Sequence, residues 1–419
     1  MSQPPLYDIA RQMAAAALAA VDPERLVREA LAGRPERWAA AVALGKAAPA
    51  MARGARDALG QEGAARRLLV RTHATPSLLD PAWEQLSGGH PLSDRQSLEA
   101  GGRVLRWLAE LPPGAPLLAL VSGGSSACVE ALAGDLTLAD LTATQRALLA
   151  SGLPIDAFNT VRKHLSALKG GGALRACRGP VLALLLSDVP GDDPGTIGSG
   201  PFAADPSTFA AALAAVEPLA VPEGVRQRLA AGARGELPET VKPGDPELAR
   251  LESQVVGSAS TAVAGAASAA RQSGLTVTTG RLAGEAAAAA RDLVERGRAI
   301  AGSRVALILG GETTVTLGPQ PGRGGRNQEL ALAAARELAG GRGELVLALA
   351  TDGEDGPTHA AGGIVDGASW AALAGAGVDP AAALSGHDSQ RALAALPGAL
   401  LETGNTGTNV GDLAVYLRW

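Results

Sequence analysis

Two periodicities alternate along the chain. Apolar positions at helical spacing run through 7–20 and 22–32, and the second stretch opens on Asp22-Pro23-Glu24, a capping residue followed by an early proline. Short unbroken apolar runs follow at 38–44, 68–70, 117–121 and 181–186. Runs of that length without polar alternation predict strands buried on both faces. Helical stretches separate them, so this part reads as an open parallel sheet with helices on both faces. From about 217 to 246 proline and charge interrupt the pattern, in Glu236-Leu237-Pro238-Glu239 and Lys242-Pro243-Gly244-Asp245-Pro246. That interruption predicts a boundary region and a division into domains 1–248 and 249–419. Beyond it the spacing predicts a strand near Val255, a helix over 259–273, a strand over 275–278 and a helix over 285–296. Strands over 305–309 and 313–317, a helix over 327–338 and a strand over 345–350 follow.

Composition narrows the function classes. The 419 residues are 47% apolar and 19% charged, with 54 glycines, enough for sizeable cores and too few charges for a disordered chain. A net charge of -5 leaves no basic footprint for nucleic acid, and three Phe, five Trp and two Tyr are too few for base-stacking platforms. No apolar run reaches the roughly 18 residues of a membrane span. Met1-Ser2-Gln3-Pro4-Pro5 does not open like a signal peptide, and two cysteines point to a reduced, cytoplasmic setting. Of the 37 basic residues only Lys46, Lys163, Lys169 and Lys242 are lysine. A lysine kept against that bias marks a place where a compact ammonium serves better than a planar fork.

The chemistry concentrates in loops after strands. Ser122-Gly123-Gly124-Ser125-Ser126 follows the 117–121 run, where glycines let amides approach an anion and hydroxyls add donors. Ser187-Asp188-Val189-Pro190-Gly191-Asp192-Asp193 follows the next run, and its three carboxylates suit Mg²⁺. Gly322-Arg323-Gly324-Gly325-Arg326-Asn327 precedes a helix and predicts an anion site at its N-terminus. Gly310-Gly311-Glu312, Thr351-Asp352-Gly353 and Thr406-Gly407-Thr408-Asn409 complete the set, from which Glu312, Asn327, Asp352, Thr406 and Asn409 join the candidate substrate or nucleotide contacts. Lys46, in Gly45-Lys46-Ala47, is a phosphate contact without a Walker pattern. Lys163 and Lys169 flank His164 in a helix-like segment that reads equally as a solvated face. No histidine pair has metal-ligand spacing, and Gly123-Gly124-Ser125-Ser126-Ala127 lacks the closing glycine of a hydrolase elbow.

Together these fragments resemble the class II glycerate 2-kinase family, whose C-terminal part is the MOFRL domain. The resemblance runs in order through Gly45-Lys46-Ala47, Gly89-His90-Pro91, the Ser122 turn, Asn159-Thr160-Val161-Arg162-Lys163 and Lys169-Gly170-Gly171. It continues through Ser187-Asp188, Ser199-Gly200-Pro201, Gly325-Arg326-Asn327-Gln328-Glu329, Thr351-Asp352-Gly353 and Thr406-Gly407-Thr408-Asn409. It implies a larger Rossmann-like α/β/α parallel-sheet domain, a smaller α/β MOFRL domain and a cleft between them. It implies ATP- and Mg²⁺-dependent phosphorylation of D-glycerate at its 2-hydroxyl, with Lys46 and Arg326 essential. Phosphoryl transfer is mostly positioning and charge stabilisation, which cations and amides supply. Asp188 or Asp192 would take the hydroxyl proton. Either, with Asp193, would hold Mg²⁺, and Arg326 or the 122–126 turn would meet the glycerate carboxylate. The alternative is an NAD(P)H-dependent hydroxypyruvate reductase. Its nearest glycine fingerprint, Gly198-Ser199-Gly200-Pro201-Phe202-Ala203, follows no predicted strand and contains proline.

Overall fold

A computed structural model describes residues 6–35, 37–60 and 65–419. The segment 1–5, on which the reading of the N-terminus rested, lies outside the described residues. The chain divides into two compact units, Pro23–Val256 and a second unit made of Gly257–Trp419 with the segment ending at Asp22. The division thus falls further along than the expected 248/249, and the first helix belongs with the C-terminal part. Leu6–Ala20 packs along the helix Ala259–Gln272 and buries Ile9, Met13 and Ala17. Among the described residues no helix is long and apolar enough to cross a membrane.

Strands β1 (Ala40–Leu44), β2 (Arg66–Thr72), β3 (Glu84–Gly88), β4 (Leu117–Ser122), β5 (Val181–Leu186) and β6 (Leu251–Gly257) form the first sheet, in the order β3-β2-β1-β4-β5-β6. β1 to β5 pair in parallel. The apolar runs become strands because both faces are covered: β1, β4 and β5 are buried at every position. Val42, Leu44, Val121 and Leu185 pack with Val104, Trp107 and Leu108 of the helix Arg95–Ala109. The helix Pro23–Leu31 packs against β5 and the helix Ala48–Gly54. Chain order reverses between β1 and β4, and ligands of open α/β sheets bind at such a switch point, beyond the carboxyl ends of the strands.

The stretch predicted as a boundary is a folded part of this unit. It contains the helix Glu223–Ala233, and Val225, Leu229 and Val241 are fully buried. Prolines there start helices and turns; they do not mark a linker.

The second unit holds β7 (Thr276–Leu282), β8 (Val305–Gly311), β9 (Glu344–Ala350), β10 (Gly362–Asp366), β11 (Leu400–Leu401) and β12 (Asp412–Arg418), ordered β11-β10-β9-β12-β8-β7. β7 and β8 are parallel, and β12 lies antiparallel between β8 and β9. Leu307, Leu309, Val346, Ala348 and Tyr416 face the helices Ala286–Ala299 and Arg326–Leu338. The predicted strand over 313–317 does not form. Only Thr314 makes a bridge, to Glu285, and the Glu285 carboxylate takes the hydroxyls of Thr314 and Thr316 at 2.9 and 2.8 Å. A side-chain acceptor competes here with a ladder and wins.

Candidate active site

In the first unit the carboxyl ends of β1 and β4 interlock at the switch point. The Gly45 N–H donates to the Val70 carbonyl at 2.9 Å, and the Lys46 N–H donates to the Gly123 carbonyl at 2.9 Å. The Ala47 N–H donates to Ser122 Oγ at 3.0 Å, whose hydroxyl donates on to the Leu44 carbonyl at 3.2 Å. Gly45 adopts φ +111°, and a Cβ there would lie 2.5 Å from the Ser122 carbonyl oxygen, so the turn requires glycine. Lys46, His90 and Thr72 gather around Gly124. A Cβ at Gly124 would lie 3.0 Å from Lys46 Cγ, 3.3 Å from His90 Cδ2 and 3.5 Å from Thr72 Cγ2. Lys46 therefore lies against the Gly123-Gly124 turn beside His90, a placement that the sequence reading of Lys46 as a phosphate contact past a strand end did not specify.

The same geometry corrects two expectations. Ser122, a predicted ligand contact, is fully buried, and its hydroxyl locks the two strand ends together. The helix after the turn, Ser125–Cys128, has only four residues, too few for a useful dipole. Ser125 is 3% exposed and its Oγ has no partner among the described residues, while Ser126 presents its carbonyl to Arg162.

Asp188 stands half-buried just past β5, the neighbour of β4. Asp192 sits half-buried on a turn at φ +54°. Asp193 instead accepts from the Gly195 N–H at 3.3 Å and from the Thr196 hydroxyl at 2.7 Å. Among the described residues no three His, Cys, Asp or Glu side chains form a group able to hold a metal. The three aspartates therefore do not make a ligand set. Mg²⁺ needs only one or two carboxylates besides substrate oxygens.

Lys163 and Lys169 are not a solvated face. Lys163 Nζ lies 3.2 Å from Asp205, and Lys169 pairs with Glu130, with all four side chains buried. Burial pulls the Lys169 ammonium down to about 8 against the pull of Glu130. Burial also pushes the Asp205 carboxyl up, but the Ser207 hydroxyl, Lys163 and Thr240 outweigh it and leave the group below its usual value. Beside them the Gly170 and Gly171 N–H groups donate to the Ser199 and Gly200 carbonyls at 3.1 and 2.8 Å.

In the second unit the candidates gather at one sheet edge, where the register sets Asp412 opposite both Gly311 and Ala350. Asp412, which sequence reasoning missed, anchors Arg326: Nε donates to Oδ2 at 2.6 Å and Nη2 to Oδ1 at 3.0 Å. Nη1 lies 2.7 Å from Glu312. Burial opposes the charged guanidinium, but the fully buried Asp412 outweighs it and holds Arg326 above its usual value. A lone carboxylate before an apolar run was the available signal. Thr406 donates to the Thr351 carbonyl at 2.5 Å. Asp352 is half-buried just past β9, and Asn409 is 8% exposed.

The predicted anion site at the N-terminus of Arg326–Leu338 is filled by the chain itself. Asp355, 2% exposed, accepts from the Asn327 and Gln328 backbone N–H groups at 3.0 and 2.8 Å and from both side-chain amides. Burial pushes this carboxyl up in spite of those donors. A Cβ on Gly325 would lie 2.3 Å from Asp355, and one on Gly324 would lie 2.1 Å from Ser389 Oγ. Those glycines admit close packing, and Asn327 is buried with its backbone N–H and Nδ2 given to Asp355, while its Oδ1 has no partner among the described residues.

Comparison with known proteins places the chain in a family. A model of the domain of unknown function DUF4147 matches residues 9–233, and the MOFRL family matches 305–412. A protein from Agrobacterium vitis that carries a hydroxypyruvate reductase name is 39% identical over 98% of this chain and 94% of its own. A glycerate 2-kinase from Pyrococcus horikoshii is 38% identical over 90% and 86%. The crystal structure of a glycerate kinase from Thermotoga maritima superposes with a TM-score of 0.86 at 36% identity, covering 99% of each chain. The chain belongs to the class II glycerate kinase family, with a DUF4147 part followed by a MOFRL part, and is by that membership a kinase.

Proposed function

We propose that this protein transfers the γ-phosphoryl group of ATP, with Mg²⁺, to the 2-hydroxyl of D-glycerate, giving 2-phosphoglycerate and ADP. The observation that carries the reading is the gathering of Lys46 and His90 over the Gly123-Gly124 turn at the β1/β4 switch point. A glycine turn that brings backbone close to a ligand, beside a flexible ammonium, suits phosphate oxygens. In the transfer the O2–Pγ bond forms, the bond from Pγ to the β-phosphate bridging oxygen breaks, and the hydroxyl proton passes to a carboxylate. Of Asp188 and Asp192, one takes that proton and the other is a ligand for Mg²⁺, which neutralises phosphate charge when bound. Arg326, held by Asp412, offers a fixed guanidinium edge for an anionic group, and Glu312, Asp352, Thr406 and Asn409 line the same edge of their unit.

The reductase reading rests on the name of the Agrobacterium relative. Against it, the first strand leads into Gly45-Lys46-Ala47, and Gly198 and Ser199 lie in the short 3₁₀ turn Ile197–Ser199 that Gly200 caps, not on a strand-to-helix turn. The test supplies ATP, Mg²⁺ and D-glycerate and couples product to enolase without a mutase. Immediate signal is expected. Signal only after mutase addition would assign the 3-phosphate, and NADH oxidation with hydroxypyruvate would favour the reductase.

A further inference from the structure

The segment Asn159-Thr160-Val161-Arg162-Lys163 carries a cation that none of the roles above uses. Arg162 lies on the helix Ile155–Leu165, with its guanidinium carbon 5.5 Å from the ring centroid of Phe158, one turn earlier. Nη2 donates to the Ser126 carbonyl at 2.6 Å, and Nε is buried with no partner among the described residues. Its neighbours in the chain differ: Lys163 has Asp205 and Lys169 has Glu130. Glu130, whose charge reaches Arg162, is already committed to Lys169, to the Ser166 hydroxyl at 2.6 Å and to the Ala131 N–H at 3.0 Å. Burial lowers the Arg162 pKa, and the charge of Glu130 opposes it.

Arg162 is half-buried, with its Nε wholly enclosed, and a partly desolvated guanidinium with no carboxylate bonded to it gains from an anion that completes it. The place is specific. Ser126 closes the turn whose Gly124 lies under Lys46 and His90, and in the same turn Ser125 Oγ is also buried without a partner. One hydroxyl of the switch-point turn, Ser125 Oγ, and one nitrogen of the arginine bonded to that turn, Arg162 Nε, thus lack a partner among the described residues. The groups divide by shape: the glycine turn and the Lys46 ammonium suit phosphate oxygens, whereas a planar fork matches a planar carboxylate.

We propose that Arg162 binds the carboxylate of the acceptor and so selects a hydroxy acid over a neutral polyol. The inference rests on the kinase reading above and names the group that recognises its substrate. It predicts that Arg162 acts on the acceptor side of the kinetics and not on the nucleotide side.

The experiment measures steady-state kinetics of the full chain with D-glycerate and with D-glyceramide, whose amide removes the charge. In the wild type the amide should lose roughly 100-fold in kcat/KM. Arg162→Gln should raise the KM for glycerate roughly 10- to 100-fold, leave the KM for ATP within about twofold, and bring acid and amide close to parity. Arg162→Lys, which keeps the charge and loses the fork, should fall between, and it carries the test if the glutamine variant does not fold. Unchanged glycerate KM and discrimination in a folded variant, equal use of acid and amide by the wild type, or a change confined to ATP would each overturn the proposal while leaving the kinase reading intact. A wild type that fails to phosphorylate glycerate overturns both.

Discussion

Replacing Asp412 by asparagine keeps the shape of the side chain and removes the charge that aligns Arg326. The wild-type pair has two charge-assisted bonds, at 2.6 and 3.0 Å, with the aspartate side chain at 0% exposure. Removing one member of a buried pair costs about 3–5 kcal/mol, chiefly because the remaining charge stays uncompensated. Here the Arg326 side chain is 34% exposed and keeps Glu312 at 2.7 Å, which puts the cost at the lower end, about 3 kcal/mol. For a unit of this size that corresponds to a fall of roughly 6–12 °C in its melting transition. If Arg326 serves transfer, the loosened guanidinium should also lower kcat by about 10²-fold. Scanning calorimetry and the enolase-coupled rate read the two effects on one preparation. Glu312→Gln is the control: its side chain is 44% exposed, and its loss should cost less than about 1 kcal/mol. An Asp412→Asn protein with wild-type melting and wild-type kcat would refute the clamp.

Gly45→Ala forces a side chain onto a φ of +111° and against the Ser122 carbonyl, so it should cost more than about 1 kcal/mol in denaturant midpoint and also reduce turnover by shifting Lys46. Asp94 caps the helix Arg95–Ala109 and bonds His73 at 2.7 Å; burial opposes its charge, but the His73 and Ser97 bonds hold it at about 2 against an ordinary 3.8. Its folded pKa is depressed, so its contribution is complete above about pH 4 and is lost as pH falls toward 2. The stability gap between wild type and Asp94→Asn, read by urea titration, should therefore be constant above pH 4 and narrow below it. Burial pushes the Cys128 thiol up to about 12, and Cys177 is also buried, so a disulfide-exchange dye should label neither in the native protein and both in guanidinium.

Where packing demands apolar residues on both faces, periodicity located the elements closely: β5 spans the predicted 181–186, and β1 and β4 fall within or within one residue of their runs. It failed where a strand borrows stability from its position. β3 is Glu84-Gln85-Leu86-Ser87-Gly88, an edge strand with only Gly88 buried, and its composition reads as a turn. Leu6–Ala20 is an evident helix, but nothing in its own residues says that it packs on a partner more than two hundred positions away. The loops were legible as glycine-rich turns after strands, and Lys46 and Arg326 stand at such turns. Which hydroxyls and amides remain available was not legible. The Ser122 hydroxyl is consumed by Leu44 and Ala47, and the Asn327 backbone N–H and Nδ2 by Asp355, contacts fixed by long-range register. Asp355, three residues past Asp352 and assigned no role from the sequence, occupies the helix end that was expected to hold an anion.

The claim beneath the functional reading is that the ammonium lying across the β1/β4 turn does the electrostatic work of phosphoryl transfer. Lys46→Met tests it most directly, because methionine keeps the aliphatic stem against Gly124 and deletes only the charge. With D-glycerate, ATP and Mg²⁺ coupled to enolase, the variant should lose at least about 10²-fold in kcat while its circular dichroism and melting temperature match the wild type. A folded Lys46→Met protein that turns over within about twofold of the wild type would contradict the account.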